Sequence, residues 1–244
     1  MCQICESETA ASRPHRRRFL QLFGAAAAGY AIARPVLAEG IKAPPKPQNA
    51  VSPDGALQLL VDGNARYVEG VSRRHDFKHE REPLSQGQNP YAGILSCADS
   101  RIAPEYAFDT GRGDLFVCRV AGNFANDDVV ASFEYAVSTL NTPLIMVLGH
   151  GSCGAVSATI KSLKENVTLP GHLPSLVTSI TPAVKAGEGM PGDLLDNAIR
   201  QNVVLTVQKL KNAAPVIGTA VAQGKVRVVG AIYRLADGQV ELIA

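Results

Sequence analysis

From residue 52 onward the chain reads as apolar blocks separated by polar ones. Ser52-Pro53 offers a capping hydroxyl followed by a proline at the first helical position, and Leu57, Leu60, Val61 and Asn64 mark one side of the helix this predicts. Residues 70–90 are charged and polar and read as a surface excursion. Residues 91–96 form a short apolar run that stops at Cys97, and residues 114–120 form a second. A third run, 143–148, is continuously apolar, as expected of a strand buried on both faces. Helical spacing appears over 129–140, 155–165 and 194–210. The chain closes with an apolar run at 226–233, an Asp237-Gly238 turn and a last run at 240–243, a hairpin signal. Strands alternating with helices predict one α/β domain, with a mainly parallel central sheet flanked by helices and an antiparallel edge strand.

The first segment follows another pattern. Arg16-Arg17-Arg18-Phe19-Leu20-Gln21 precedes an apolar run over 22–33, and Val36-Leu37-Ala38 ends it on a small residue. A basic start, a short apolar middle and a small-residue end make a secretory signal, and the run is too short to span a bilayer comfortably. The Arg-Arg-x-Phe-Leu arrangement resembles a twin-arginine export signal. The reading that follows is an export signal over 1–38, a Pro-rich linker or arm over 39–52, and a folded domain over 53–244. The mature protein is then periplasmic or secreted, with no stable membrane insertion after signal cleavage. An N-terminal helix belonging to the fold is one alternative, although the run lacks a polar face, and an uncleaved signal anchor is another.

Composition narrows the function. Hydrophobic residues make up 46% of the 244 residues and charged residues 19%, enough apolar content for a sizeable core. Aromatics are 5% with no Trp, which speaks against a base-stacking platform. The 24 basic residues against 22 acidic ones give no phosphate-binding field, so no nucleic-acid partner is expected. Loss of 1–38 removes five basic and two acidic residues, so the basic excess belongs to the leader. It also removes Cys2 and Cys5, whose spacing has no partner pair nearby.

Two apolar runs end in metal-ligand residue types: Cys97-Ala98-Asp99-Ser100-Arg101 and His150-Gly151-Ser152-Cys153-Gly154. Parallel α/β sheets bind ligands at the carboxyl ends of their strands, so Cys97, His150 and Cys153 can converge. Cys153 would also sit near a helix start, whose dipole favours thiolate. Three such ligands suit one Zn²⁺ per subunit with a fourth position left for water, the catalytic pattern. A structural zinc would need a fourth strong ligand; Cys118 lies within an apolar strand, which leaves Asp99 as the other candidate. Unmetallated buried thiols are the remaining alternative. Asp99 and Arg101 are spaced for an ion pair that would keep Asp99 ionised and off the metal; if Arg101 lets go, Asp99 becomes the fourth ligand of a closed state.

At these residues the sequence resembles the β-class carbonic anhydrases. The likeness extends over Gly113-Asp114-Leu115-Phe116-Val117, Arg119-Val120-Ala121-Gly122-Asn123, Glu134-Tyr135-Ala136 and Val229-Gly230-Ala231-Ile232-Tyr233. It implies zinc on Cys97, His150 and Cys153, with Asp99 and Arg101 as a catalytic pair and hydroxide generated at the zinc attacking CO₂ reversibly to give bicarbonate and a proton. It further implies that Gln88 and the Gly154 N–H bind substrate, that Phe116 and Tyr135 are apolar pocket walls with Tyr135 reaching across a dimer interface, and that Ala121 leaves the pocket wider than the Val of some members. A homodimer or a dimer of dimers is expected, because the family builds its site between subunits. The alternatives are a CS₂ or COS hydrolase on the same fold and a catalytically silent zinc-stabilised binding protein. His75, His79 and His172 read as solvated loop residues rather than proton shuttles.

Charge counting makes a first prediction. Two thiolates cancel the formal charge of zinc, so water there is acidified less than the pKa of about 7 of a three-histidine site. CO₂ hydration is expected to rise toward alkaline pH in a stopped-flow series; a flat rate between about pH 6 and 9 would contradict the charge count.

Overall fold

The computed structural model describes residues 51–244. The stretch read as an export signal, residues 1–38 with Cys2 and Cys5, lies outside the described residues, as does the arm up to residue 50. Eight helices and five strands follow in the described residues: α1 (Pro53–Val68), α2 (Arg81–Ser85), β1 (Ala92–Ser96), α3 (Pro104–Ala107), β2 (Leu115–Arg119), α4 (Asp127–Ser138), β3 (Leu144–His150), α5 (Gly154–Glu165), α6 (Leu173–Gly187), α7 (Leu194–Lys211), α8 (Ile217–Ala222), β4 (Arg227–Tyr233) and β5 (Val240–Leu242).

Strand order is β2-β1-β3-β4-β5. The first four strands are parallel, and β5 returns antiparallel on β4 after the Asp237-Gly238 turn, as the hairpin signal predicts. Strands β1 and β3 are buried along their whole length, because helices cover both faces. Ile145 and Val147 pack among α4 to α8, while Leu144, Met146 and Leu148 point to the opposite face, against α1 and α3. This is the period of two expected of a strand inside a two-sided core. Close packing against α7 requires two glycines: a Cβ at Gly149 or Gly230 would stand 2.6 Å from a methyl of Val203.

The predicted start of α1 is present. The Ser52 hydroxyl accepts the Gly55 N–H at 3.1 Å, and Pro53 opens the helix. Leu57, Leu60 and Asn64 are buried, but Val61 is 43% exposed. The buried arc also takes in Ala56 and Gly63, which turns Val61 beyond its edge. Helix α6 went unpredicted: Pro182 stands in its interior, where a proline reads as a break. Among the described residues no helix is long and apolar enough to cross a membrane.

Asn64 ties the C-terminal hairpin to α1. Its buried amide donates to the carbonyls of Ala107 and Gly238, both at 2.9 Å, and accepts the Val240 N–H at 2.9 Å. Asn64→Ala strands three backbone groups at once. A loss of about 2–3 kcal/mol in denaturant unfolding is expected, since each unmet buried group costs about 1–3 kcal/mol with partial rescue by water. Metal content should not change.

Candidate metal centre

Strands β1 and β3 are neighbours in parallel register, with Ser96 opposite Leu148. Cys97 leaves the end of β1 and His150 the end of β3, so both emerge on the same edge of the sheet. Three residues further, Cys153 caps the start of α5. The ligand atoms of Cys97, His150 and Cys153 all lie within 4.8 Å of one another, and all three residues are buried. The sequence therefore predicts the convergence correctly.

The donor set fits a thiophilic, imidazole-accepting divalent ion. His150 is fully buried, and its Nδ1 lies 2.9 Å from the Gly151 carbonyl oxygen. A carbonyl only accepts, so Nδ1 carries the hydrogen and Nε2 is left as a bare lone pair. That Nε2 has no hydrogen-bond partner. An orphaned imidazole nitrogen beside two sulfurs, its other nitrogen held by a backbone carbonyl, matches the tautomer control found around zinc-ligating histidines.

The two sulfurs shift each other's acidity in opposite directions. The Cys97 thiol is pushed down by a hydrogen bond from Cys153, and the Gly122 N–H, 3.3 Å from Sγ, works against burial in the same direction. The Cys153 thiol is pushed up by that bond to Cys97 and by burial, although the amides of Val156 and Ala155 in the first turn of α5 pull it down. The helix start thus favours thiolate at Cys153, as the sequence suggests, but the neighbouring sulfur outweighs it. Cys118, half-buried on β2, stands apart from the cluster.

Asp99 lies beside the cluster and is fully engaged elsewhere. Arg101 grips it with Nε to Oδ1 at 2.9 Å, a second guanidinium nitrogen to Oδ2 at 2.7 Å and its backbone N–H to Oδ1 at 2.9 Å. The Arg101 side chain therefore holds the carboxyl well below the usual carboxylate range. Asp99 Oδ2 is 3.9 Å from His150 Nε2. Arg101 also reaches the Ser152 carbonyl at 3.4 Å, joining the two metal-ligand motifs.

The other predicted residues divide. Ala121 follows β2 and is half-buried, and Gly154 opens α5 with its N–H at the unsatisfied helix start and no atom within 4 Å of where a Cβ would stand. Both belong to the edge where the strands end. Gln88 does not: it is exposed and lines a cavity of about 530 Å³ with Arg73, His75, Asp114 and Leu140, near the amino ends of β1, β2 and β3. Phe116 is the second residue of β2, opposite Gly93. Its ring contacts Tyr135 of α4 at 6.3 Å between centroids, and the Tyr135 side is 48% exposed. Five strand residues separate Gln88 from Cys97 along β1, about 16 Å at about 3.3 Å per residue. One chain therefore does not bring Gln88 to its own metal cluster. His79 is exposed and pairs with Asp76 at 2.6 Å, and His172 is exposed ahead of α6; His75 is half-buried and stacks on Phe77. Sequence reasoning missed Arg119 and Gly122, which contact the Cys97 turn; the signal was a charged residue ending an apolar strand level with Ser96.

The chain matches the carbonic anhydrase family profile over residues 92–240. It is 42% identical over 192 residues to a carbonic anhydrase of Mycolicibacterium smegmatis, covering 78% of this chain and 93% of the relative. It is 38% identical to carbonic anhydrase 2 of Mycobacterium tuberculosis over the same shares. The solved β-carbonic anhydrase CcaA superposes with a TM-score of 0.62 at 28% identity, covering 77% of this chain and 91% of that one.

Metal removal tests the centre directly. Chelation is expected to lower the thermal midpoint by about 5–10 °C, the scale of a ligand held well above its dissociation constant. Zinc should restore it, and Cys153→Ser should respond to neither treatment in differential scanning fluorimetry.

Proposed function

The chain belongs to the β-class carbonic anhydrase family, and from that membership we propose that it catalyses the reversible hydration of CO₂ to bicarbonate and a proton. The observation that carries this reading is the buried, unpartnered His150 Nε2 facing two cysteines, with a carboxylate gripped by Arg101 3.9 Å away. Cys97, His150 and Cys153 would hold zinc, the cofactor. Zinc would supply Lewis acidity there, acidifying bound water toward a nucleophile.

The chain's own groups do the rest. Arg101 keeps Asp99 anionic and fixes both its oxygens, so Asp99 accepts a hydrogen bond from the attacking water and orients that water toward carbon. The Gly154 N–H, at the start of α5, donates to a bicarbonate oxygen, where the helix end favours negative charge. Ala121 borders the space where CO₂ sits. In this assignment Gln88, Phe116 and Tyr135 complete the site of a second copy: the Gln88 amide donates to bicarbonate and the two rings exclude water. The separation of Gln88 from Cys97 along β1 supports a homodimer, or a dimer of dimers, as the working unit.

Stopped-flow CO₂ hydration with zinc quantitation tests the activity. One zinc per chain with turnover abolished by Cys97→Ser supports it; turnover of CS₂ or COS alone would assign the other substrate, and zinc without turnover would leave a silent scaffold. Subunit sharing is tested by co-expressing a Gln88→Ala chain with a His150→Ala chain. Each alone should lose activity, and the mixture should regain a substantial part of it, since one site per heterodimer is intact. No regain would refute sharing.

We also propose export through a twin-arginine signal over 1–38, supported by Arg16-Arg17-Arg18-Phe19-Leu20 and the apolar run that follows. Replacing Arg16 and Arg17 by Lys should retain the protein inside the cell on fractionation; unchanged export would refute it.

A further inference from the structure

The turn that carries Cys97, Asp99 and Arg101 is held from the neighbouring strand by a single side chain. Arg119 ends β2, opposite Ser96. Its Nε donates to the Cys97 carbonyl at 3.0 Å, and one terminal nitrogen donates to the carbonyls of Asp99 at 2.7 Å and Ile102 at 3.0 Å. Among the described residues it takes part in no ion pair with a carboxylate, so its charge is directed at the backbone. The main chain alone holds this turn loosely: Ala98 N–H reaches the Val120 carbonyl at 3.3 Å, Val120 N–H reaches the Ser96 carbonyl at 3.2 Å, and Ile102 N–H reaches the Asp99 carbonyl at 3.2 Å. Three carbonyls converging on one point repel one another unless a cation lies among them. Charge-assisted bonds of this kind are about twice as strong as neutral ones.

We propose that Arg119 is the positioning residue that keeps Asp99 in the grip of Arg101. The Arg119 guanidinium fixes the carbonyls on either side of the Asp99 side chain, and hence the direction in which that side chain leaves the turn. Asp99 Oδ2 is only 3.9 Å from His150 Nε2. A small rotation of the turn would therefore exchange the Arg101 guanidinium for the metal cluster as the carboxylate's partner. Arg119 touches neither the cluster sulfurs nor the Asp99 carboxylate through its side chain, and it is exposed at the sheet edge, so its removal opens no cavity in the core. This inference rests on the zinc reading of the cluster for its spectroscopic and turnover arms, not for its exchange arm.

Arg119→Ala, Arg119→Lys and the pair Arg119→Ala/Asp99→Asn test it in the full chain. In hydrogen exchange, Arg119→Ala should accelerate amides of residues 98–102 roughly tenfold, as expected for losing one or two charge-assisted bonds, while residues 144–156 stay unchanged. In the Co²⁺-substituted protein the visible d–d spectrum should shift as a carboxylate joins the coordination. The shift should vanish when Asp99→Asn is added, and Arg119→Lys should restore part of the wild-type spectrum. Turnover should fall at least tenfold with full metal content and unchanged substrate KM. Unaltered exchange at 98–102, or a spectral shift that survives Asp99→Asn, would overturn the proposal. A wild type that binds no cobalt would overturn the zinc reading instead, and the exchange result would still decide the role of Arg119.

Discussion

The parallel pairing of β1 with β3 is the constraint on which the chemistry depends. With Ser96 opposite Leu148, β3 runs only two residues past the end of β1, and Cys97 and His150 emerge on one edge. A shift of one residue in that register would send every side chain of a strand to the opposite face. It would also part the sulfur from the imidazole. The register is secured by the cores on both sides of β3, where alternate residues fill different packing layers, so the energy that places the ligands comes mostly from apolar burial far from them.

Burial of His150 gives the cluster its chemical sense. An imidazole with no exposure, one nitrogen tied to a backbone carbonyl and the other unpaired is costly as a purely structural residue. The two buried cysteine sulfurs beside it would, as thiolates, lack a countercharge. A divalent ion removes both deficits, since it accepts the lone pair and neutralises two thiolates. Asp99, only 3.9 Å from the same nitrogen, would answer the same need, and the three bonds it receives from Arg101 keep it from doing so.

What was legible in the sequence was whatever is local. The runs ending at Cys97 and His150, the Ser52-Pro53 start and the Asp237-Gly238 hairpin depend on neighbours a few residues away, and each appears where the pattern puts it. Helix α6 was hidden because Pro182 within it mimics a stop, and packing against α7 overrides that preference. The edge of the α1 stripe at Val61 depends on which partner the helix meets. Most of all, the division between Gln88 and the Cys97 cluster is invisible in a one-dimensional motif: nine residues look close until five of them are extended in a strand. Arg119 escaped notice for a related reason, since its three acceptors are backbone atoms that carry no residue signature.

The seating of α7 on the sheet has a wider consequence. Val203 rests where Gly149 and Gly230 leave room, and the adjacent Asn202 donates to the Gly122 carbonyl at 2.7 Å. The same Gly122 offers its N–H to the Cys97 sulfur. One residue is thus suspended between a helix and a ligand, so the thiolate senses how deeply the helix has settled. Metal loading then acts as a gauge of finished tertiary packing: a chain whose helix rides a methyl group too high holds its ion less firmly, although no residue near the ion has changed.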